Sequence, residues 1–392
     1  MTVYSGPHFG FPSIIHRGSG DLAVYYNDQV ADGTVTKALH SSISTDRGST
    51  WVDGEDVWAG PNSLANTTGS TKSRWSRWNV WSTGCTGGGF RAGTGTLLLP
   101  TVLTVRSGTA YQSYAAFWRS TDDGATWFMS AKPLFDSGYA GNGTVVRTGL
   151  QTDAGSADDG GIPTSPPVQI VGGDHDGRLL AALYGKKVPG EANSSVSVLF
   201  SDDDGLTWDF LAYAATGVAS DGGINYTEPC MATLDNGTIF MMLRVGAVVR
   251  GMGTEWRAYV TSSDGGATWS APVRLPFTGQ SGRPDILQLS VSSVGNSWGD
   301  LIHFLRPRDF ERLLLFSISH DRGVTWTDPA VLASASDPAE GLPHRGGRSA
   351  YCQPVEIAPG TIGVAYGLES TDREIDYPGA ACFTRFKKIA IA

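Results

Sequence analysis

The sequence contains a few polar side chains whose types could carry out chemistry. Glu228 stands directly before a proline, Arg244 ends an apolar run, and Tyr351 begins another. A carboxylate can act as a base, and a phenol, with a pKa near 10, needs such a base to become a nucleophile. The fork of an arginine binds both oxygens of a carboxylate. Each residue also has an ordinary structural interpretation, as an aromatic packed in a sheet or as a surface charge.

The elements that would position these residues follow from an eight-residue pattern, Ser-x-Asp-x-Gly-x-Thr-Trp, that occurs five times. Its aspartates are Asp46, Asp122, Asp203, Asp264 and Asp321. Aspartate accepts backbone N–H groups inside a tight turn, and glycine supplies the positive φ that such a turn needs. Because an apolar or alternating run precedes each copy, every copy predicts a β-hairpin, and these aspartates are expected to form turns rather than to do chemistry.

The spacing of the copies indicates the architecture. Neighbouring aspartates of the pattern are 57 to 81 residues apart, which leaves room for about four short strands per interval. Repeated four-stranded units of this kind close radially. We therefore predict an all-β fold, a six-bladed β-propeller of four-stranded antiparallel blades, in which a head at 9–26 and a tail at 351–392 supply the sixth blade. No linker divides the chain, so residues 1–392 are expected to form one domain.

Composition excludes several classes of function. The net charge of −9 argues against a nucleic-acid partner, which favours a basic face. No apolar run approaches the roughly 18 residues of a membrane span, and residues 1–10 lack the pattern of a signal peptide. No Cys-x-x-Cys pair suggests zinc, so neither a metal nor a cofactor is predicted. Localisation stays open, with a secreted or virion-associated protein among the possibilities, as does the oligomeric state.

The repeated pattern resembles the Asp-box of the sialidase (neuraminidase) superfamily. Three further segments are similar to segments of that family: Asn-Tyr-Thr-Glu-Pro at 225–229 with the following 234–244, Phe-Leu-Arg-Pro at 304–307 with 312–316, and 349–366 around Tyr351. The resemblance covers nearly the whole chain in layout. Since the Asp-box also occurs in other carbohydrate-active propellers and in non-catalytic ones, it indicates the fold more strongly than the function.

The resemblance implies a catalytic set. It makes Tyr351 the nucleophile and Glu228 its base, which suits a substrate whose anomeric carbon carries a carboxylate, because a carboxylate nucleophile would be repelled there. Tyrosine-based sialidases are an exception to the two-carboxylate scheme of glycosidases. The family also uses an aspartate ahead of the first box to protonate the leaving oxygen and later to activate water. Asp32 fits this position best, and Asp28 is the alternative.

The resemblance further implies arginines that bind the substrate carboxylate. Arg244 and Arg312 are the implied pair, with Arg283 and Arg306 as competitors of the second. Where the family places a first arginine, this chain has Gly10 in Phe-Gly-Phe-Pro-Ser. Four residues could restore the missing charge: His8, Arg74, Arg77 and Arg345.

These residues predict a glycoside hydrolase that acts on a glycan partner. By resemblance it is an exo-α-sialidase, cleaving the bond to a sialic acid or related keto-sugar acid with retention. The alternatives are an endo-acting depolymerase of the phage type, a hydrolase similar to exo-arabinanases, and a non-catalytic glycan-binding propeller. Convergence of Tyr351 with Glu228 would favour the first, and a second carboxylate beside Glu228 would favour the arabinanase type.

Overall fold

The computed structural model describes most of the chain, in the ranges 2–6, 12–27, 38–57, 80–85, 87–107, 110–131, 148–150, 160–188, 191–219, 223–247, 255–278, 282–307, 313–334, 348–369 and 382–391. Within these ranges the chain forms 26 β-strands and one turn of 3-10 helix, Gly173–His175. In the same ranges, no helix has the length and apolarity that crossing a membrane requires.

The strands are numbered in chain order. They are β1 (Thr2–Gly6), β2 (Ser13–His16), β3 (Leu22–Asn27), β4 (Leu39–Ser44), β5 (Val52–Asp53), β6 (Val80–Cys85), β7 (Phe90–Arg91), β8 (Leu97–Ser107), β9 (Ala110–Ser120), β10 (Phe128–Ala131), β11 (Ile162–Pro163), β12 (Val168–Gln169), β13 (Leu179–Gly185), β14 (Ser195–Ser201), β15 (Asp209–Ala215), β16 (Ile224–Thr233), β17 (Ile239–Ala247), β18 (Trp256–Ser262), β19 (Val273–Thr278), β20 (Asp285–Gln288), β21 (Leu301–Leu305), β22 (Leu313–Ser319), β23 (Ala330–Ser334), β24 (Arg348–Ala358), β25 (Thr361–Glu369) and β26 (Cys382–Ala390).

The strands form six antiparallel sheets, which are blades 1 to 6. In order, the blades are β2-β3-β4-β5, β6-β8-β9-β10 with β7 on β8, β11-β13-β14-β15 with β12 on β13, β16-β17-β18-β19, β20-β21-β22-β23, and β24-β25-β26-β1. β16 contacts β20, β20 contacts β24, and β24 contacts β2. These strands therefore line the axis, and the later strands of each blade lie further out.

The ring is closed by the two ends of the chain. β1 pairs with β26 in an antiparallel register that places Gly6 opposite Cys382. The predicted all-β six-bladed propeller is confirmed, but the predicted head of blade 6 was wrong. Residues 13–27 form β2 and β3 of blade 1, because β3 pairs with the strand that leads into the first Asp-box, and β1 completes blade 6 instead.

Each Asp-box lies on a β-hairpin, as predicted, and the structure shows that this hairpin joins the third and fourth strands of its blade. In blade 3, Asp203 accepts hydrogen bonds from the Ser201 hydroxyl (2.8 Å), the Thr207 backbone N–H (2.8 Å) and the Thr207 hydroxyl (2.6 Å). Burial alone would raise the pKa of Asp203, but these donors lower it below the ordinary value of 3.8. Its contribution to stability is therefore present above pH 3.8 and is lost as the pH falls through the lower folded pKa.

The boxes also join neighbouring blades. The ring of Trp208 stacks on Phe117 of blade 2, with centroids 4.3 Å apart. Gly205 has a φ of +79°, and a Cβ there would lie 2.7 Å from the side chain of Leu98 in blade 2. A side chain larger than hydrogen is excluded at this position both by conformation and by space. The box tryptophan thus packs against the preceding blade as well as its own.

Charged residues of the boxes add a second connection between blades. The residue after the box aspartate has a positive φ in four boxes without being glycine, at Arg47, Asp123, Asp204 and Arg322. Asp204 is paired with Arg119 of blade 2, and Arg322 with Asp235 of blade 4. The turn geometry therefore directs a charged side chain toward the preceding blade. Pairs of this kind on the surface contribute about 0–1 kcal/mol each.

Replacing a box aspartate should destabilise the propeller far more than replacing its sequence neighbour. Asp203→Ala removes the acceptor of three hydrogen bonds and is expected to cost about 2–3 kcal/mol, seen as a lower thermal unfolding midpoint. Asp202→Ala removes a half-exposed carboxylate paired with Arg178 and should cost at most about 1 kcal/mol. Equal shifts of the two midpoints in calorimetry would contradict the structural role of Asp203.

Candidate active site

Glu228 is held in an unusual backbone conformation near the start of β16. Its φ is +44°, and the pairing of β16 with β17 shifts register between Thr227 and Cys230. Such a bulge leaves residues unpaired and redirects a side chain, and Pro229, which lacks an N–H, fits the unpaired position. A positive φ at a residue other than glycine costs free energy and persists where surrounding contacts maintain it. The Glu228 side chain is buried, with 8% of the residue exposed.

Tyr351 occupies the same kind of position in β24. The pairing of β24 with β25 shifts register between Ser349 and Cys352, so Tyr351 also lies within a bulge. Its hydroxyl donates a hydrogen bond of 3.0 Å to Oε1 of Glu228. Two residues that are 123 positions apart in the chain, on blades 4 and 6, therefore meet directly.

Arg244 holds the other oxygen of this glutamate. It lies in β17 opposite Thr227 of β16, and its Nη1 donates to Oε2 of Glu228 at 2.9 Å. Its Nη2 donates at 2.9 Å to Oε1 of Glu255, the residue before β18. Burial lowers the pKa of Arg244, but the two carboxylates outweigh burial and raise it above its ordinary value. Arg244 therefore remains a cation and fixes Glu228 in place.

Arg283 connects the strands that carry Tyr351 and Glu228. Its guanidinium donates to Asp285 (2.7 Å), to the backbone carbonyl of Cys352 (2.9 Å) and to the carbonyl of Thr164. The Thr164 hydroxyl in turn donates to the carbonyl of Pro229 at 3.2 Å. Only 5% of Arg283 is exposed. It is a buried positioning residue, because its donors are directed at backbone and at its own ion-pair partner.

Arg306 follows the end of β21 and lies beside the tyrosine ring. Its guanidinium carbon is 5.7 Å from the ring centroid of Tyr351, the same distance as that of Arg283. Gly282, with a φ of +75°, lies between them. A Cβ at this glycine would be 3.2 Å from Nη2 of Arg306 and 3.5 Å from Cε1 of Tyr351. The absence of a side chain at residue 282 thus allows the arginine and the tyrosine to converge.

The surroundings keep Tyr351 protonated at rest. Burial is the main cause that raises the pKa of its phenol well above 10, and the negative charge of Glu228 adds to it, while Arg244 and Arg306 oppose the shift. A phenol in this environment cannot act as a nucleophile unless a base removes its proton during the reaction. Glu228, which already accepts its hydrogen bond, is placed to be that base.

Arginines outnumber carboxylates in the cluster around Tyr351. Its described members are Arg244, Arg257, Arg283 and Arg306 against Glu228, Glu255 and Asp285. Burial, followed by the nearby charge of Arg244, lowers the pKa of Arg257 to about 10, so it is still protonated at neutral pH. Burial also raises the pKa of Asp285, against the opposing effect of Arg283. Among the described residues, the cluster therefore has at least one net positive charge, in a protein whose total is −9.

The structure brings together three of the five residues predicted from sequence, Tyr351, Glu228 and Arg244. The other two, Arg312 and Asp32, lie outside the described residues. The same holds for the alternative Asp28, for Gly10, and for the four candidate replacements, His8, Arg74, Arg77 and Arg345. Their roles stay predictions.

Glu255 is a residue of the cluster that sequence reasoning missed. The register of β17 on β18 pairs Arg244 with Arg257 and Val245 with Trp256, so Glu255, the residue before β18, lies diagonally across from Arg244 on the same face. Two arginines were competitors of Arg312. Arg283 is buried and donates its hydrogen bonds to backbone carbonyls and to Asp285, whereas Arg306 is only partly buried. Among the described residues, no three His, Cys, Asp or Glu side chains are grouped as metal ligands would be.

A cavity of about 380 Å³ lies along the propeller axis but is separate from the candidate site. Cys230, Asp285 and Gln353 line it, whereas Glu228 and Tyr351 do not. The Gln353 amide also crosses between blades, accepting from the backbone N–H groups of residues 14 and 89. Most of the remaining lining is apolar, and of the charged residues named for the cluster around Tyr351, Asp285 alone lines this space.

Comparison with known proteins gives a sequence relative and many structural ones. No family model matches the chain. An "Anhydrosialidase" of Macrobdella decora is 29% identical over 150 residues, which span 38% of this chain and only 16% of that protein. The structure of a protein of unknown function from Dyadobacter fermentans aligns with a TM-score of 0.69 at 18% identity, covering 99% of this chain and 97% of the other.

Two enzyme structures also align over the whole chain. The NanB sialidase of Streptococcus pneumoniae has a TM-score of 0.66 at 13% identity, covering 100% of this chain and 70% of its own. An α-L-arabinanase of Penicillium chrysogenum has a TM-score of 0.58 at 14% identity, covering 100% and 97%. At such identities the likeness concerns the fold.

The chain has the fold of the sialidase superfamily. The propeller fold predicted from the Asp-boxes is thereby confirmed, and the Macrobdella decora match adds a similarity in sequence over 150 residues. A sialidase and an arabinanase both align with this chain, so the activity must be argued from the residues of the site.

Removing the charge of Glu228 in this sialidase-fold chain should make Tyr351 easier to ionise. In Glu228→Gln the repulsion between carboxylate and phenolate is lost, so the Tyr351 pKa should fall, although burial keeps it above 10. Near-ultraviolet titration gives the phenolate signal of this residue as the difference between each protein and its Tyr351→Phe counterpart. Glu356→Gln, on the same strand β24, is the control and should cause no shift. An unchanged or higher Tyr351 pKa in Glu228→Gln would contradict the electrostatics described here.

Proposed function

We propose that this chain is a retaining glycoside hydrolase that cleaves the bond to a sialic acid or a related keto-sugar acid. The observation that carries the proposal is the 3.0 Å hydrogen bond from the Tyr351 hydroxyl to Glu228, with Arg244 on the other carboxylate oxygen. This arrangement pairs a nucleophile with its base and orients the base with a third group. It also argues against a propeller that only binds glycans, which would have no use for a tyrosine hydroxyl bonded to a buried carboxylate.

The proposed first step is a displacement at the anomeric carbon. Glu228 accepts the phenolic proton while the Tyr351 oxygen forms a bond to that carbon and the glycosidic C–O bond breaks. The leaving oxygen takes a proton from an acid, for which Asp32 is the candidate. A neutral phenol suits a carbon that bears a carboxylate, because a second carboxylate in the nucleophile's place would be repelled.

The proposed second step releases the sugar. Water attacks the anomeric carbon, the bond to the Tyr351 oxygen breaks, and Glu228 returns the proton to the phenolate. Asp32, now deprotonated, would take the proton of the water. Two inversions at one carbon give net retention.

The positive character of the cluster supports an anionic substrate. Arg244 uses two of its five N–H groups for Glu228 and Glu255, which leaves donors for the substrate carboxylate. We propose Arg244 and Arg312 as residues that bind it, and a glycan chain as the partner of a single catalytic domain spanning residues 1–392.

A second candidate follows from Glu255. Glu228 and Glu255 bind the same guanidinium at 2.9 Å each, so two carboxylates lie near each other, as a glycosidase for neutral sugars requires. The alignment with the arabinanase is compatible with this candidate. In that reaction Glu255 would be essential and Tyr351 dispensable, whereas the reverse order of importance is expected for the sialidase-type reaction.

The test is a product analysis with matched variants. We expect the protein to release the free sugar acid from an α-sialyl oligosaccharide. Tyr351→Phe should abolish turnover, and Glu228→Gln should slow it by about 10²–10⁴-fold. Tyr226→Phe, a buried tyrosine two residues before Glu228, is the control and should retain activity.

The other outcomes of this test are informative. Short oligomers from polysialic acid would indicate endo cleavage by the same residues. A sugar acid lighter by one water would mean that a hydroxyl of the substrate replaces the attacking water, as the name of the Macrobdella decora protein implies for that enzyme. Cleavage of arabinan instead, lost in Glu255→Gln and kept in Tyr351→Phe, would replace the proposal by the second candidate. No turnover of any of these substrates would overturn both.

A further inference from the structure

The residue that follows Tyr351 is held by a buried ion pair of blade 5. The guanidinium of Arg283 donates to the carbonyl of Cys352 at 2.9 Å. The thiol of Cys352 donates in turn to Oδ2 of Asp285, the ion-pair partner of Arg283, at 3.4 Å. Both members of the ion pair are buried, with 5% and 3% of the residues exposed. The backbone next to Tyr351 is therefore fixed from the interior of the propeller.

The same arginine supports the residue that holds the backbone after Glu228. Arg283 donates to the carbonyl of Thr164, and the Thr164 hydroxyl donates to the carbonyl of Pro229 at 3.2 Å. Thr164 is buried and lies between β11 and β12 of blade 3. A continuous path of hydrogen bonds thus joins the residue after Tyr351 to the residue after Glu228.

The sequence around Thr164 limits the movement of this residue. It reads Pro-Thr-Ser-Pro-Pro over 163–167. Each proline ring fixes its own φ, and the residue before a proline is restricted as well. A hydroxyl on such a segment is a more precise support than one on a flexible loop.

Glu228 needs support of this kind because its own backbone is strained. Its φ of +44° lies within the bulge of β16, and such a conformation relaxes unless its surroundings maintain it. Arg244 holds the carboxylate, whereas Thr164 holds a carbonyl of the bulge itself. Relaxation of the bulge would turn the carboxylate away from the Tyr351 hydroxyl, which lies 3.0 Å from it.

We propose that Thr164 is a positioning residue, which keeps Glu228 in contact with Tyr351 by anchoring the bulge of β16 to Arg283. This inference rests on the proposed function, in which Glu228 takes the proton of Tyr351. Thr164 is 6% exposed and uses both its hydroxyl and its carbonyl within the protein, so it does not contact the substrate. Its loss should therefore lower kcat and kcat/KM equally and leave KM unchanged.

The test variants at this position differ in the hydroxyl alone or in the methyl alone. Thr164→Val replaces the hydroxyl by a methyl group, and Thr164→Ser keeps the hydroxyl. With an α-sialyl oligosaccharide as substrate, Thr164→Val is expected to lower kcat by about 10–100-fold, because misplacements of about 1 Å at a catalytic group have effects of this size. Thr164→Ser should restore most of the wild-type kcat.

Thr233 provides a matched control. Its hydroxyl donates to the carbonyl of Gln169 at 3.3 Å, so it also joins blades 4 and 3, but from the end of β16 remote from the bulge. Thr233→Val should lower the unfolding midpoint about as much as Thr164→Val does and should keep kcat. Equal losses of kcat in the two variants would assign the effect to general destabilisation and would overturn the inference.

The phenol of Tyr351 reports the same geometry without a substrate. Because the charge of Glu228 raises the pKa of this phenol, a carboxylate displaced by Thr164→Val should lower it. The pKa is read by near-ultraviolet titration, as the difference between each protein and its Tyr351→Phe counterpart. In the Glu228→Gln background, Thr164→Val should cause no further shift, because the charge that it displaces has been removed.

The inference and the proposed function can fail separately. An unchanged Tyr351 pKa in Thr164→Val, or a loss of activity confined to KM, would overturn the role of Thr164 while a wild type that cleaves sialosides keeps the proposed function. A wild type that cleaves no sialoside would overturn the proposed function. The titration then decides on Thr164 alone, since a lowered Tyr351 pKa supports its positioning role and an unchanged one contradicts it.

Discussion

The pairing of β1 with β26 is the constraint on which the candidate site depends. Tyr351 belongs to blade 6 and Glu228 to blade 4. These blades are not neighbours, and the two side chains meet because the inner strands surround a common axis. Closing the ring with the first strand of the chain joins the two chain ends within blade 6, whose inner strand β24 also contacts β20 of blade 5 and β2 of blade 1. A hydrogen bond of 3.0 Å between non-adjacent blades tolerates little movement, so the closure of the sheet ring is also the precondition for chemistry at its centre.

The residues that stabilise the propeller and the residues of the candidate site lie in different parts of the blades, the outer hairpins and the inner strands. The Asp-boxes lie on the outer hairpins, where carboxylate hydrogen bonds, close glycine contacts and tryptophan packing join one blade to the next. The inner strands β16 and β24 instead carry bulges, and one of their residues, Glu228, has a strained backbone with a φ of +44°. Strain of this kind persists where the surrounding structure maintains it. Here Arg244 holds the carboxylate, and the Thr164 hydroxyl holds the carbonyl of the next residue.

Sequence reasoning reached the fold because the fold is encoded locally. Five hairpins with the same turn chemistry determine the repeat, and the repeat determines the propeller. It failed at the head of blade 6, because the strand-like sequence of this segment indicates that it forms strands but not which strands they pair with. The cluster was predicted only in part for the same reason. Arg283 acts through the carbonyls of Thr164 and Cys352, which are 119 and 69 residues away, and no local pattern reveals such contacts.

The buried arginines explain how an acidic protein can present a positive centre. Placing a guanidinium in the interior is costly unless it is paired or hydrogen-bonded, and Arg283 meets this requirement with Asp285 and two carbonyls. Arg257 meets it less well, since in the described part of the chain its Nε and Nη1 atoms are buried without a hydrogen-bond partner, and burial lowers its pKa to about 10. An under-satisfied buried cation is expensive for folding alone. A buried charge next to Arg244 and Gly282 adds a positive field that needs no rearrangement when a negatively charged ligand arrives. Service to such a ligand would give a physical reason for the presence of Arg257 at this place.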